Sequence, residues 1–261
     1  MFTFHDISYV QQLYNMDADP YPVIAMRMSY FGYGDKKGHF DDQAARNYNN
    51  AIRTGKVPIL YHYAGGGDPI AEADYFLAAC SPVAPGDILA LDYELTSAMN
   101  PPADPAAWCS AFVHRIHDKV GIWPLFYTYR SMLNQYGFSE VLQNCALWVA
   151  DYTVSPDQNV ATNGRPYIIH QYQGSPLDTN ACFISLTTLK KYAYQPPAPQ
   201  PVPQPVPTPV PEATPAPTPE PAPEPAPEPA PISEPLPTIT LWDKIMEWWE
   251  KLKTYLKGWR K

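Results

Sequence analysis

The sequence predicts an α/β fold in which parallel strands alternate with helices and close into a barrel. Short apolar segments alternate with segments that carry helix start and stop signals, which implies right-handed crossovers in a parallel sheet. Carboxylates follow several apolar segments, and the strand ends of a parallel barrel carry its active site. About 195 residues are available for a core, whereas eight complete βα units use about 250. We therefore expect a barrel that lacks helices late in the chain, with a doubly wound sheet as the alternative.

The first three predicted strands are short and apolar, at residues 4–8, 23–27 and 58–63. Between the second and third, Asp41 or Asp42 can cap a helix that runs to Gly55, because aspartate caps helix starts and glycine commonly ends a helix.

Two aspartate-proline pairs mark further helix starts, since proline is favoured at the first helical position. Asp68 precedes a predicted helix over 70–79, and Asp104 precedes one that reaches about residue 120, before Gly121. The fourth predicted strand, residues 88–94, lies between these helices. Later strand candidates are 125–127, 146–149 and 168–171, with less helix between them.

The fourth strand ends in two carboxylates, Asp92 and Glu94, placed two residues apart. In an extended chain residues i and i+2 share a face at roughly 6.6 Å of axial separation, so both should point the same way while Tyr93 turns away. Asp6 ends the first strand and Asp178 follows the last, which predicts a group of four carboxylates. A strand-end turn or a solvated edge would explain the Asp92 and Glu94 spacing equally well.

Composition divides the chain into three parts. Residues 1–195 carry 12 Lys and Arg against 18 Asp and Glu, together with all four cysteines. Residues 196–237 contain 20 prolines in 42 positions, so this segment should be an extended polyproline linker without a core. Residues 238–261 are apolar and basic, with six Lys and Arg against three Asp and Glu.

The last segment has the pattern of an amphipathic helix. Apolar residues recur at spacings of three and four from Trp242 to Trp259, and the basic residues fall late, where they complement the helix dipole. Tryptophan and lysine together suit the surface of an anionic envelope. The residues predicted to bind the envelope are Trp242, Trp249, Trp259, Lys253 and Lys257. A short coiled-coil seam that causes self-association, or docking on the first domain, would use the same spacing.

Several classes of protein are disfavoured. Cys80, Cys109, Cys145 and Cys182 are widely spaced without a CxxC pair, which argues against structural zinc and leaves pairing open, with free thiols expected. No metal site is predicted, since no His and Cys cluster has ligand spacing. An acidic domain without a phosphate loop argues against nucleic acid. No Sec-type signal and no membrane-spanning segment are expected.

Seven motifs occur in a recognisable order. They are Asp6-Ile7-Ser8, Tyr61-His62-Tyr63, Glu72-Ala73-Asp74-Tyr75-Phe76, Leu91-Asp92-Tyr93-Glu94, Phe126-Tyr127-Thr128, Leu147-Trp148-Val149-Ala150 and Asp178-Thr179-Asn180. As a set, over about residues 3–186, the chain resembles glycoside hydrolase family 25, lysozymes that are N-acetylmuramidases of phage endolysins and bacterial autolysins. The resemblance implies an irregular TIM-like (β/α) barrel with eight strands and about five helices, which hydrolyses the β-1,4 bond from N-acetylmuramic acid to N-acetylglucosamine without a cofactor.

By the same resemblance, Glu94 corresponds to the general acid, and Asp6, Asp92 and Asp178 to the other catalytic carboxylates. The chemistry agrees, because a glycosidase needs one protonated carboxyl beside ionised ones, and clustered charges raise one pKa. Asp178 is the better candidate for activating or positioning a nucleophile. The chain departs from the family where Arg27 replaces a common lysine and Met28-Ser29-Tyr30 replaces a segment that often carries a glutamate.

Aromatic side chains at strand ends can stack on sugars, although strand aromatics also pack in cores. The predicted substrate-binding residues are Tyr61, Tyr63, Tyr127, Trp148 and Tyr172. A structural role is expected for His62 and His170.

The prediction is a peptidoglycan-degrading endolysin, made in the host bacterial cytoplasm without a signal peptide and released to act on the cell wall. A chitinase-like barrel is an alternative, since chitinases also end a strand in Asp-x-Glu, but Ala90 interrupts the longer acidic series that they usually carry. A cell-wall-binding barrel without activity, carrying a membrane-active or dimerising tail, is the other alternative.

Overall fold

Helices and strands alternate through the first three quarters of the chain in the computed structural model, which describes residues 1–32, 37–95 and 101–196. The elements are β1 (Phe2–Ile7), β2 (Val23–Phe31), β3 (Gly38–Phe40), α1 (Ala44–Arg53), β4 (Val57–Tyr63), α2 (Pro69–Ala79), β5 (Ile88–Tyr93), α3 (Pro105–Val120), β6 (Leu125–Tyr129), α4 (Arg130–Tyr136), α5 (Val141–Asn144), β7 (Leu147–Ala150), β8 (Ile169–Gln173), β9 (Asp178–Cys182) and α6 (Leu186–Leu189). Short 3-10 helices occupy Tyr9–Gln11 and Lys190–Tyr192. The predicted linker and amphipathic tail lie outside the described residues.

The strands form one sheet in the order β1-β9-β8-β7-β6-β5-β4-β2-β3, and β1 also pairs with β2. That extra pairing closes an eight-stranded barrel and leaves β3 outside it as an antiparallel extension of β2. The barrel pairs are parallel except around β9, which runs antiparallel to both β8 and β1. The predicted barrel is therefore confirmed, and the doubly wound alternative is excluded.

Alternate residues of each strand face the barrel interior or the surrounding helices. On β5, Ala90 belongs to the inner apolar cluster, whereas Leu91 and Tyr93 belong to the outer cluster that packs against α2 and α3. On β2, Val23 and Ala25 face inward in the same way. Because the side-chain period of a strand is two, the inward series continues into polar residues at the carboxyl ends of the parallel strands.

The helix starts predicted from aspartate-proline pairs are confirmed. Asp68 accepts a hydrogen bond from the Ala71 amide at 2.8 Å, and Asp104 accepts one from the Ala107 amide at 3.0 Å. These bonds satisfy amides that a helix start leaves without partners. Gly121, with φ of 80°, ends α3.

The predicted cap of α1 is wrong. Gln43 occupies the cap position and makes no side-chain capping bond, while Asp41 accepts from the Gln43 amide at 2.9 Å. The other Asp41 oxygen accepts from Arg27 Nε and from the Tyr9 amide, each at 2.9 Å. The carboxylate therefore joins the end of β2 to the turn after β1 instead of capping the helix.

The strand predictions hold at their centres and differ at their ends. β2 continues four residues beyond Arg27, to Phe31, because the segment pairs with both β3 and β4 through an irregularity between Arg27 and Ser29. Asp178 was expected after the last strand, but it begins β9.

All four cysteines are free and buried, as expected. No helix among the described residues has both the length and the apolar character needed to cross a bilayer.

Candidate active site

A cavity of about 350 Å³ opens at the carboxyl ends of the parallel barrel strands. The four predicted carboxylates, Asp6, Asp92, Glu94 and Asp178, all line it. A larger cavity of about 570 Å³ lies elsewhere, beside Met1 and Phe183, and contains a single carboxylate. The smaller cavity is therefore the candidate active site.

Asp92 and Glu94 both face this cavity, as their spacing predicts. The intervening Tyr93 has no exposed surface and belongs to the outer core. Asp92 pairs in register with Tyr63 on one side and Tyr127 on the other, so it lies within the sheet. Asp92 is only 9% exposed, which excludes a solvated strand edge. No described side chain or backbone group bonds its Oδ1 atom.

Asp6 is held by two side-chain amides. Its Oδ2 atom accepts from Gln171 Nε2 at 2.9 Å and from Asn180 Nδ2 at 2.7 Å. Asn180 in turn accepts from Trp148 Nε1 at 2.8 Å, and Gln171 Oε1 accepts from the Tyr127 hydroxyl at 2.8 Å. Because each amide is fixed at its other end, both present their N–H groups to the carboxylate.

Asp178 lines the same cavity, although its strand runs in the opposite direction to the strand that carries Asp6. It begins β9, which runs antiparallel to β1, and it is the register partner of Asp6. The first residue of an antiparallel strand lies at the same edge of the sheet as the last residues of its neighbours. This reversal places Asp178, which is half-buried, beside Asp6.

The pKa values of all four carboxyls are raised. Burial raises the pKa of Asp6 to about 6, although the bonds from Asn180 and Gln171 oppose the shift. Burial also raises the pKa of Glu94 to about 7, opposed by a hydrogen bond with Tyr127 and assisted by the Asp6 charge. For Asp178, burial and then the charges of Asp6 and Glu94 raise the pKa to about 7.

The pKa of Asp92 lies well above its usual range, because of burial first and the charge of Glu94 second. Since neighbouring carboxylates repel one another, the pair cannot be fully ionised near neutral pH. The cavity therefore holds a proton that can be transferred.

The predicted aromatic residues separate into two groups. Tyr61, Tyr63, Tyr127 and Trp148 line the cavity. Trp148 is 2% exposed and packs its ring against Phe4 and Tyr127, so little of its face is open to a ligand.

Tyr172 is not among the residues that line the cavity. It follows Gln171, whose side chain points inward, and strand alternation turns the Tyr172 ring away, against His170. A sugar in the cavity therefore has no direct approach to this ring.

Several cavity residues were not predicted as site residues. They are Ser8, Arg27, Tyr129, Tyr152, Gln171 and Gly174. Arg27 could have been found from the sequence, because it continues the inward series of Val23 and Ala25. Tyr152 is 47% exposed and comes from the loop after β7, where strand alternation gives no guide.

His62 and His170 are buried, as expected for structural residues. His62 Nε2 lies 3.1 Å from Glu72 Oε2, and His62 Nδ1 lies 2.9 Å from the Ser29 hydroxyl. His170 Nε2 donates to the Asp151 carbonyl at 2.8 Å. Within the described ranges, no group of three or more His, Cys, Asp or Glu side chains could hold a metal ion.

The sequence model of "Glycosyl hydrolases family 25" matches residues 32–179. A comparison with curated proteins finds no match.

Solved structures with the same fold include two lysozymes or muramidases and a phage endolysin domain. A muramidase from Trichobolus zukalii is 20% identical, with a TM-score of 0.60 over 74% of this chain and 99% of that one. A bacterial lysozyme from Streptomyces coelicolor is 20% identical, with a TM-score of 0.59 over 74% and 96%. The catalytic domain of an endolysin from bacteriophage P40 of Listeria monocytogenes is 24% identical, with a TM-score of 0.59 over 74% and 97%.

Proposed function

The chain belongs to the glycosyl hydrolases family 25 and is a glycoside hydrolase of the lysozyme type, and from this we propose that it hydrolyses peptidoglycan. The bond cleaved is the β-1,4 bond from N-acetylmuramic acid to N-acetylglucosamine. The observation that carries this proposal is the gathering of Asp6, Asp92, Glu94 and Asp178 in one cavity with raised pKa values.

Glu94 is the proton donor in this proposal. A general acid must be protonated at the working pH and must reach the glycosidic oxygen. A pKa of about 7 keeps Glu94 protonated in mildly acidic to neutral solution. Glu94 is also more exposed than its neighbour Asp92, which is buried. Asp92 is less accessible to the sugar, and its pKa is raised by burial and by the charge of Glu94, so the two carboxyls do not both ionise near neutral pH.

Asp6, which has the lower pKa of the two, supplies negative charge to the oxocarbenium-like transition state. With a pKa of about 6, Asp6 ionises before Glu94 loses its proton, so an ionised Asp6 and a protonated Glu94 coexist in mildly acidic solution. Asp178, which is less buried than Asp6, is better placed to orient or activate a nucleophile. The rings of Tyr152 and Tyr129 pack edge to face and line the cavity. We call this pair the aromatic wall, and the partly exposed Tyr152 ring offers a face on which a sugar can stack.

The test uses wild type, Glu94→Gln and the exposed control Glu140→Gln on purified peptidoglycan and on chitin. New reducing ends are measured and then reduced with borohydride, so that acid hydrolysis identifies the sugar at each new end. A muramidase creates muramic acid ends, and Glu94→Gln should lower their rate of formation by about 10²- to 10⁴-fold. Glucosamine ends, release from chitin alone, or equal rates for Glu94→Gln and wild type would overturn the proposal.

We also propose that the protein is a phage endolysin whose C-terminal segment binds the bacterial envelope. One structure with the same fold is the catalytic domain of a phage endolysin. The 20 prolines in residues 196–237 suit a spacer. The tryptophan and lysine residues after it suit an anionic surface. In this proposal the enzyme is made in the host cytoplasm and is released to reach the wall.

A chain ended after residue 237 tests the envelope proposal against the full chain. Both should release reducing ends from soluble glycan strands equally, while the truncated chain should sediment less with vesicles that contain anionic lipid. Trp249→Ser combined with Lys253→Gln in the full chain should reduce sedimentation with these vesicles to the same extent. Unchanged vesicle binding would contradict this proposal, and a halved native mass on truncation would assign the segment to dimerisation.

A further inference from the structure

Arg27 is the one cationic side chain among the described residues that line the carboxylate cavity. It faces a site that contains four acids, yet its ion pair is with Asp41, outside the cavity, where Nε lies 2.9 Å from Oδ2. None of the ion pairs between described residues joins Arg27 to the four cavity carboxyls. Arg27 acts on these carboxyls only at a distance, through a charge that opposes the rise in the pKa of Asp92, so its guanidinium can contact a group that enters the cavity.

The guanidinium is held rigidly in this position. Its Cζ atom lies 5.0 Å from the centre of the Tyr9 ring and 4.7 Å from that of the Tyr30 ring. Stacking between aromatic rings orients a planar guanidinium without consuming its N–H donors. Asp41, which is 4% exposed, connects Arg27 to the Tyr9 backbone, because its Oδ2 atom accepts from both Arg27 Nε and the Tyr9 amide.

The hydrogen-bonding capacity of Arg27 is not fully used. Its Nη2 atom is buried and has no partner among the described residues, although a guanidinium carries five N–H donors. A buried donor without a partner is unfavourable, because it has lost its hydrogen bonds to water without gaining others. No described group satisfies this donor, whereas a carboxylate bound in the cavity would.

Peptidoglycan offers a matching group. The muramyl sugar carries a lactyl carboxyl, which is either free or joined in an amide bond to a peptide that has carboxylates of its own. A carboxylate that approaches four acidic side chains is repelled unless a cation faces it. We propose that Arg27 is a specificity-determining residue that binds a carboxylate on the muramyl side of the substrate. This inference rests on the proposed function above.

The test compares three substrates. The first is intact peptidoglycan, and the second is glycan strands from which an amidase has removed the peptides, so that the lactyl carboxyl is free. The third is the same strands after carbodiimide coupling to methylamine, which converts the carboxylates to neutral amides. Values of kcat and KM are measured for wild type, Arg27→Gln, Arg27→Lys and the control Arg115→Gln. Arg115 pairs with Asp74 on the helix surface, away from the cavity.

We expect Arg27→Gln to raise KM about tenfold on a carboxylate-bearing substrate and to leave KM on the neutral strands unchanged. Arg27→Lys should recover part of the loss, because lysine keeps the charge but lacks the planar fork. A rise in KM confined to the strands without peptides identifies the lactyl carboxylate as the bound group. A rise in KM confined to intact peptidoglycan identifies the peptide carboxylates.

An equal rise in KM on charged and neutral strands would overturn the proposal, because it would show that Arg27 acts on the cavity carboxyls and not on a substrate carboxylate. A shifted pH profile without a change in KM would overturn it in the same way. If Arg27→Gln fails to fold, Arg27→Lys decides. A KM that rises on the charged strands and not on the neutral strands supports the proposal, and a KM that changes equally on both overturns it. Inactivity of the wild type on all three substrates would instead reject the muramidase proposal itself.

Discussion

Asn180 Nδ2 donates a 2.7 Å hydrogen bond to Asp6 Oδ2 from a position 174 residues away in the chain. The bond joins the last barrel strand to the first, and it aims a donor at a carboxylate that burial tends to protonate. Hydrogen bonds to an ionised carboxyl favour the ionised form. Asn180 therefore helps to keep Asp6 charged while Glu94 retains its proton.

Asn180→Leu should raise the pKa of Asp6 above its value of about 6, because it removes a donor from a buried carboxylate. If activity needs ionised Asp6, the acid limb of the kcat/KM profile should move to higher pH. The substitution also leaves Trp148 Nε1 without its acceptor, which should lower the free energy of unfolding by about 1–3 kcal/mol. Gln173→Leu, on an exposed side chain of the same sheet, is the control. An acid limb that stays in place would show that the Asp6 charge is not required.

The raised carboxyl pKa values should make the folded protein less stable as pH rises. The pKa of Glu94 is 4.5 in its ordinary state and about 7 in the fold. Between these values the folded protein retains a proton that the unfolded chain has lost, so stability is lost as pH rises through the folded pKa.

Glu94→Gln removes the part of this dependence that Glu94 contributes, because an amide does not ionise. We expect the variant to exceed wild type in the free energy of unfolding by about 1–3 kcal/mol at pH 8 and to match it near pH 4, as measured by urea denaturation. The exposed control Glu140→Gln should match wild type at both pH values. A variant that is less stable than wild type at pH 8 would contradict the proposed charge repulsion.

Local patterns in the sequence predict the parts of this site that depend on one strand or one helix. The alternation of a strand places Asp92 and Glu94 together, and the aspartate-proline pairs place the starts of α2 and α3. Contacts between distant segments do not follow from such patterns. Gln171 and Asp6 are separated by 165 residues, and nothing local to either residue identifies the other as its partner.

β9 and Arg27 show two other reasons for incomplete prediction. β9 is short and begins with Asp178, so its sequence has the polarity of a loop, and only pairing with β1 and β8 makes it a strand. Arg27 was identified only as a departure from the family pattern. Its role in the cavity depends on Asp41, which local rules assign to a helix cap, and on the rings of Tyr9 and Tyr30.

The buried Glu72 should be essential for stability. One oxygen accepts from the Gly65 amide at 2.9 Å and lies 3.1 Å from His62 Nε2, and the other accepts from the Gly67 amide. Glu72→Ala leaves these buried donors without an acceptor, so the free energy of unfolding should fall by about 3–5 kcal/mol. Glu72→Gln, which keeps one acceptor oxygen, should fall between the alanine variant and wild type. Glu140→Ala, on the surface, should change the free energy of unfolding by less than about 0.5 kcal/mol. An equally small effect of Glu72→Ala would show that the turn before α2 is stable without this carboxylate.

Tyr152 should contribute to substrate binding through its ring more than through its hydroxyl. The hydroxyl donates to Gln171 Oε1 at 2.6 Å, but Tyr127 donates to the same oxygen, so its loss leaves that acceptor satisfied. Tyr152→Ala should therefore raise KM on glycan strands about tenfold, because sugar stacking is lost, while Tyr152→Phe should remain close to wild type. Phe40→Ala removes a similarly exposed ring that stacks on Tyr75 outside the cavity and should leave KM unchanged. If Tyr152→Phe instead lowers kcat as far as the alanine variant does, the hydroxyl acts on the carboxyl network, and the aromatic wall is not a sugar-binding surface.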